Sequence, residues 1–334
     1  VKLLGLATLC PAFLSLFRIV RNYSSNRIVG VFMKNIPTDT PTIMPEYSRL
    51  GKIECYTATS VSVFMDNVEK NIKRNLKRFH DLEGFQKIKG NDEPIALIGG
   101  GPSIKKELDR IKDFKQSGYP IVACGSSHDW LVDNGVIPDY CTVCDPDPVT
   151  VNYLKKANKE TIFLIASSCA GVVFDYLKDY KVYLWHCHSE ERCAEIAKLD
   201  NNLGVNYQGI SGGCTVGLRS ICVVMMLGYT NIHFWGFDSC LGEDSAHHAY
   251  EFSDESEAAG LGKIYKIKVG TPKSVEKSKI YTCAGYQLAQ AYHFQKFFAA
   301  FNHCFVPTFH GGGLISALLD NIKEEAKQLE AKAA

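Results

Sequence analysis

The chain has 334 residues, 46% of them hydrophobic and 22% charged, with a formal net charge of +1. That length and apolar content bury a full core, as one large domain with appendages or as two modest domains. The balanced charge gives no electrostatic reason to seek nucleic acid or an anionic membrane, so any anion must be held by a local site.

The 13 cysteines are scattered through apolar runs such as Ile221-Cys222-Val223-Val224. Cys187 and Cys193 flank His188, but the spacing fits no zinc finger or ribbon. The cysteines read as small buried thiols in a reducing cytoplasm. At the N-terminus Val1 to Val20 is apolar, which suits a signal h-region or a short anchor. Pro11 interrupts it, no small-residue cleavage site follows cleanly, and it is barely long enough to span a bilayer. Met33-Lys34-Asn35-Ile36 opens a more ordinary start. Residues 1–32 are therefore expected to be an upstream extension or a loosely packed segment, without stable membrane insertion.

Residues 33–60, rich in Pro and Thr, complete an irregular N-terminal segment. Val61 to Leu82 places Val61, Phe64, Val68, Ile72, Leu76 and Phe79 at helical spacing among Lys and Arg, which predicts an amphipathic helix with a solvated basic face. With it, residues 61–90 make a helical lead-in. From Pro94 short apolar runs alternate with amphipathic segments. Strands are predicted at 95–99, 121–124, 140–144, 161–166, 182–186 and 232–237. Helices are predicted at 104–116, 129–134, 149–158, 171–178, 190–199 and 215–227. This alternation predicts an α/β class, with a Rossmann-like parallel sheet covered by helices on both faces over residues 91–310. The polar stretch 239–281 holds no convincing strand pair and reads as a substrate loop or lid, because an insertion after a strand's carboxyl end sits beside the ligand crevice. Helix 283–301 carries an aromatic stripe (Tyr286, Tyr292, Phe294, Phe297, Phe298, Phe301) that reads as core. A last strand at 305–309 and a closing helix within 311–334 complete the chain.

Four constellations carry chemistry. In Leu97-Ile98-Gly99-Gly100-Gly101-Pro102-Ser103-Ile104 a buried strand runs through three glycines into a helix start. Glycines let the backbone approach a phosphate, and the helix start offers free N–H groups and a positive dipole end. No Gly-Lys-Ser/Thr follows, and Ile104 stands where a dinucleotide fingerprint has its last glycine; a plain tight turn is the bland alternative. Asp145-Pro146-Asp147 puts two carboxylates on a stiff turn after a buried strand. They suit Mg²⁺ on a nucleotide's phosphates, a ribose contact by Asp145, or only an Asx turn capping a helix. Gly212-Gly213-Cys214-Thr215 repeats the glycine-then-helix arrangement and is a second candidate for phosphate, ribose or a carboxylate. Gly236-Phe237-Asp238 ends a strand, with His247 and His248 beyond it; Asp238 and the two imidazoles are the candidate catalytic groups. Ser126 and Ser127 follow another strand and serve either as a helix cap or as nucleotide contacts.

The stretch Ile98–Ser103, with Val122–Gly125, Leu131–Asp139 and Ser211–Asp238, resembles the MptE-like family, which includes motility accessory factors that modify flagellin and archaeal 6-hydroxymethylpterin diphosphokinases. Residues 211–238 also resemble bacterial sialyltransferases that use CMP-activated sugars. The resemblance spans roughly residues 65–310 and implies a Rossmann-like core, a nucleotide-bearing donor and a group-transfer enzyme. It leaves two donors open. A CMP-nonulosonate-like sugar would lie across Gly99–Ser103 and Gly212–Thr215, with His247 or His248 deprotonating a small-molecule, glycan or protein acceptor. Mg-ATP held by Asp145 and Asp147 would instead give its diphosphate to a pterin-like alcohol. Sugar transfer is the favoured expectation. A non-catalytic nucleotide-binding factor is the third reading, and the intact acidic and histidine groups argue against it.

Overall fold

The nearly all-apolar runs become the strands of one parallel sheet, because strands covered on both faces have no solvent side to alternate toward. The structure, a computed structural model, describes residues 43–44, 61–82, 85, 91–188, 192–250, 264–270 and 278–333. The upstream extension expected at 1–32 lies outside the described residues, as does the 33–60 segment apart from a short strand β1 (Ile43–Met44).

The helix α1 (Val61–Ile72) opens the lead-in and ends ten residues earlier than the spacing predicts. Asn75 adopts φ +54, which no helix continues, and a 3₁₀ turn at Phe79–Asp81 follows. Val68, Ile72 and Phe79 are nonetheless buried, and Lys73, Arg74 and Lys77 are exposed, so the apolar and basic faces lie as expected. Arg78 is the exception. It turns inward to Asp200 at 3.0 Å, and Asp200 in turn meets His186 at 2.7 Å. This buried network fastens the lead-in to the sheet.

From there strands and helices alternate: β2 (Asn91–Ile98), α2 (Ile104–Gln116), β3 (Ile121–Cys124), α3 (Ser127–Asp133) and β4 (Tyr140–Val143). A 3₁₀ helix at Pro148–Leu154 stands where an α-helix is predicted, capped by the Asp147 side chain. Next come β5 (Ile162–Ala166), α4 (Gly171–Tyr176), β6 (Lys181–Cys187), α5 (Cys193–Asn202), a two-residue β7 (Gly209–Ile210), α6 (Val216–Met226) and β8 (Tyr229–Trp235). The insertion holds β9 (Ile264–Val269) and β10 (Lys279–Ala284), and the chain closes with α7 (Gly285–Phe301), β11 (Val306–Phe309) and α8 (Leu314–Ala333).

The insertion corrects one expectation. Strands β9 and β10 pair antiparallel, with β1 added parallel to β9. Along β9, Tyr265, Ile267 and Val269 are buried while Ile264 and Lys266 are exposed. This period-two pattern is a half-buried strand whose interleaved lysines make it look like loop.

The main sheet has eight strands in the order β11-β8-β2-β3-β4-β5-β6-β7, every neighbouring pair parallel. Helices cover both faces. Ala96 and Ile98 of β2 pack with Ile104 and Ile111 of α2 on one side. Ile95 and Leu97 pack with Leu218 and Ile221 of α6 on the other. The chain lays down β2 to β7 outward, then returns to place β8 against the opposite edge of β2. That reversal is a topological switch point, where ligands bind outside the carboxyl ends of the strands. Among the described residues no helix is long and apolar enough to cross a membrane, and the cysteines are free thiols, most of them buried.

Candidate functional site

Three loops meet at the carboxyl ends of β2, β8 and β11. The amide of Gly99 donates to Trp235 O at 2.8 Å, and that of Gly101 to Gly236 O at 3.0 Å. A Cβ at Gly99 or Gly101 would lie 2.6 Å from Gly236 O, and Gly236 itself has φ +67. These glycines are needed where two backbones approach each other, a use distinct from the phosphate approach that the sequence suggests. Gly100 does face the cleft. Its carbonyl accepts from Ala249 N at 2.9 Å, and a Cβ there would run into Tyr250 Oη and His248 Cδ2.

The start of α2 is also occupied. Ser103 donates from N to Asp238 Oδ2 at 2.8 Å and from Oγ to Asp238 Oδ1 at 2.6 Å. Asp238 is buried and acts here as an external cap for the helix. Burial pushes its carboxyl up to about 6, against the pull of the two Ser103 bonds. The backbone of Asp238 is held as well, since Leu314 N donates to its carbonyl at 2.7 Å. The third loop, Gly311-Gly312-Gly313, is one that the sequence reading passes over. All three residues have positive φ, and a Cβ at Gly313 would stand 2.5 Å from Asp238 Cα. The available signal was a glycine triplet between a predicted strand and a predicted helix, the same pattern as Gly99–Gly101.

A cleft opens between these loops and α6. Gly99 to Gly101, Ser126, Thr215 to Gly217, His247, His248, Tyr286 and Gln290 line it. Thr215 caps α6, its Oγ1 accepting from Leu218 N at 3.3 Å and from Gln290 Nε2 at 3.2 Å, while Ser239 Oγ donates to Gln290 Oε1 at 2.9 Å. Gly212, Gly213 and Cys214 are not in the lining. A Cβ at Gly212 would meet Arg219 Cα at 2.6 Å, so that turn packs against the first turns of α6. Pro102 likewise stands outside the lining. Ser126 Oγ lies 2.7 Å from Tyr250 Oη. Ser127 is buried, donating to Ile98 O at 2.7 Å and accepting from Cys124 N at 3.0 Å, which ties β2 to β3. Neither serine side chain caps α3.

His247 and His248 are brought together with Nδ1 atoms 2.6 Å apart, and Tyr286 Oη stands 3.3 Å from His247 Nδ1. Tyr286 thus leaves the aromatic stripe, whose members Tyr292, Phe294 and Phe298 are in the core as expected. Burial lowers the pKa of both histidines, that of His248 to about 3 with His247 adding to the effect. Both are neutral at pH 7 and able to accept a proton. The lining thiols Cys124 and Cys240 are pushed up by burial to about 12 and about 11, so neither is a ready nucleophile. Among the described residues the lining holds no charged side chain.

Asp145 and Asp147 are exposed and do not line the cleft. Asp145 Oδ1 accepts from Asp147 N and Asp147 Oδ1 from Val149 N, each at 2.9 Å. This is the Asx-turn arrangement, with one oxygen of each carboxylate engaged by backbone. Among the described residues no group of three or more His, Cys, Asp or Glu is placed to hold a metal. The Asp145–Asp147 turn stands outside the cleft lining.

The family described as 6-hydroxymethylpterin diphosphokinase MptE-like matches residues 64–244, from α1 through the loop after β8. The chain belongs to the MptE-like family. Among solved structures, this MptE-like chain is similar in fold to the MAf glycosyltransferase from Magnetospirillum magneticum AMB-1, at 14% identity and a TM-score of 0.53 over 77% of its own length. It spans 38% of that protein. The sialyltransferase CstII from Campylobacter jejuni, solved with cytidine-5'-monophosphate, matches at 17% identity and a TM-score of 0.28, covering 50% of this chain and 69% of that one. A mammalian sialyltransferase in complex with Gal-beta-1-3GalNAc-ortho-nitrophenol matches at 10% identity and a TM-score of 0.34, covering 76% of this chain and 87% of that one. The last two superpose too loosely to bear on individual residues. No curated protein matches the chain.

Proposed function

We propose that this MptE-like chain is a glycosyltransferase that takes a CMP-nonulosonate-like nucleotide sugar and passes the sugar to a hydroxyl of a small-molecule, glycan or protein acceptor. The observation that carries the reading is a switch-point cleft that offers two neutral histidines and no charged side chain among its described lining. A nucleotide sugar joined through a single phosphate suits such a site. A triphosphate carries several negative charges and calls for Mg²⁺, Lys or Arg beside it.

In the proposed reaction the bond between the anomeric carbon and the donor phosphate breaks, and its electron pair leaves on the phosphate. The acceptor oxygen bonds to that carbon and gives its proton to an imidazole nitrogen of the histidine pair. Gln290 ties Thr215 and Ser239 together in the cleft lining.

The family description favours a second reading, transfer of diphosphate from Mg-ATP to a pterin-like alcohol. Calorimetry separates the two. CMP binding that is unaffected by Mg²⁺ is the expected result, and Mg²⁺-dependent ATP binding without CMP binding would replace the first reading with the second. If neither nucleotide binds, both fail.

A further inference from the structure

Away from the cleft, the carboxyl ends of β4, β5 and β6 bring sulfur together. Cys144 follows the last residue of β4, Cys187 is the last residue of β6, and β5 runs between the two strands. The buried Ser168, two residues past β5, links them. Its Oγ donates to the Cys144 carbonyl at 3.2 Å and lies 3.7 Å from Cys187 Sγ. The thiols of Cys144 and Cys187 are themselves hydrogen-bonded. Helix α1 fixes the turn beneath them. Asn67 Nδ2 donates to Ser168 O at 3.0 Å, and Asn71 Nδ2 to Ser167 O at 2.9 Å and Cys169 O at 2.7 Å.

A cation completes the arrangement. Arg219 of α6 is half-buried and donates from Nη1 to Ile210 O at 3.0 Å. The ionisable groups that raise its pKa are the sulfurs of Cys187, Cys144, Cys222 and Cys214, with no carboxylate among them. A guanidinium stays charged in such surroundings, and a thiolate is the anion at hand to answer it. The Cys187 thiol is accordingly held down to about 6, first by the hydrogen bond from Cys144 and then by Arg219, Ser168 and His186, against burial. The Cys144 thiol is held well up by the same hydrogen bond and by burial. Burial also pushes up the Cys169 thiol and the Tyr207 phenol, which stand beside Cys187. At pH 7 one sulfur of the pair is thus a thiolate and the other a thiol, the division of labour that thiol–disulfide chemistry uses.

We propose that Cys144 and Cys187 are a redox dithiol that a peroxide closes to a disulfide across Ser168. The Cys187 thiolate attacks one oxygen of hydrogen peroxide, the O–O bond breaks, and the departing hydroxide takes up a proton to leave as water. Cys187 is then a sulfenic acid. The Cys144 sulfur attacks the Cys187 sulfur, the S–O bond breaks, and the oxygen leaves as a second water with the proton Cys144 gives up. Two electrons pass from the two sulfurs to one peroxide. A small thiol such as dithiothreitol reverses the change. Closure removes the thiolate that faces Arg219, four residues along α6 from the Thr215 that lines the cleft. The dithiol itself stands apart from the cleft and holds whether or not a nucleotide binds there.

The test is limited oxidation of the full, reduced chain with one equivalent of hydrogen peroxide, followed by alkylation, digestion and mass spectrometry. The expected product is a single cross-link between the Cys144 and Cys187 peptides, lost on dithiothreitol treatment, with the other cysteines alkylated. Cys144→Ser should stop at a sulfenic acid on Cys187 that dimedone traps, and Cys187→Ser should slow peroxide consumption at least about tenfold. Cys169→Ser should leave the cross-link unchanged. In wild type the rate of peroxide consumption should rise with pH to a midpoint near 6. A cross-link that joins other cysteines, oxidation of other thiols while Cys187 stays reduced, or a midpoint at 8.5 or above, the range of an ordinary thiol, overturns the proposal. If the serine variants do not fold, the wild-type cross-link alone decides.

Discussion

Asp238→Asn tests whether the carboxylate that caps α2 is shielded from water. Burial moves this group from 3.8 to about 6 in the folded chain, which corresponds to about 3 kcal/mol. The sign follows from linkage. A folded pKa above the unfolded value means that the unfolded chain releases the proton first as pH rises. Stability from this group is therefore complete below pH 3.8 and lost as pH rises through about 6. Asn at 238 cannot ionise and retains an oxygen for the Ser103 amide. Urea unfolding from pH 3.5 to 7.5 should show the difference, wild type minus variant, becoming less favourable to wild type by up to about 3 kcal/mol across that window. Asp238→Ala should instead destabilise at every pH, because it leaves the half-buried Ser103 N–H and O–H without their acceptor, at about 1 kcal/mol each. Parallel stability curves for wild type and Asp238→Asn would refute the reasoning, since they would mean that water reaches the carboxylate.

Gly100→Val should weaken CMP binding at least tenfold, about 1.4 kcal/mol by calorimetry, with little change in Tm. The atoms it would strike belong to the side chains of Tyr250 and His248, which can swing aside at the expense of the cleft. His247→Ala should lower turnover by roughly 10²- to 10⁴-fold while CMP affinity changes by less than threefold. In wild type the acid limb of turnover should fall below pH 6.5, because burial holds His247 under that value and the base stays bare until the pH drops through its pKa. A limb at or above 6.5 would point to another base. Arg78→Ala should destabilise by about 3–5 kcal/mol in urea titrations, because it leaves Asp200 buried beside His186 without its cation.

The sheet was legible in the sequence because its strands are buried on both faces, and an uninterrupted apolar run is hard to conceal. The predicted strand at 121–124 and helix at 104–116 agree with the observed residue bounds. The insertion was not legible, because in Ile264-Tyr265-Lys266-Ile267-Lys268-Val269 the lysines fall on the outer face and lower the apolar density that marks a strand. In the site, the glycine loops and the histidines were found by type and spacing, and their division of labour was not. Nothing in Gly-Gly-Gly says that the outer two glycines face Gly236 O and only the middle one faces the cleft. Gly311–Gly313 was missed although its pattern matches the first loop, and Tyr286 was assigned to the core because one turn of helix separates a core face from a cleft face.

The occupied start of α2 changes where a phosphate should sit. A helix N-terminus attracts an anion through its free amides and its dipole. Asp238 already supplies that anion to α2, taking the Ser103 amide and standing ionised at pH 7. A phosphate placed there would meet a carboxylate instead of a donor. The other helix start in the cleft, Thr215-Val216-Gly217, is capped by its own threonine hydroxyl and carries no acidic residue in its first turn. The donor phosphate should therefore lie toward α6, beside Thr215 in the cleft that Gly100 and His248 also line. Thr215→Val and Ser103→Ala separate the two placements. Thr215→Val should weaken CMP several-fold more than Ser103→Ala, whose main effect should be a stability loss of about 1 kcal/mol from the missing bond to Asp238. Calorimetry on both variants at pH 7 reads this directly, and a greater loss of CMP affinity in Ser103→Ala would return the phosphate to α2.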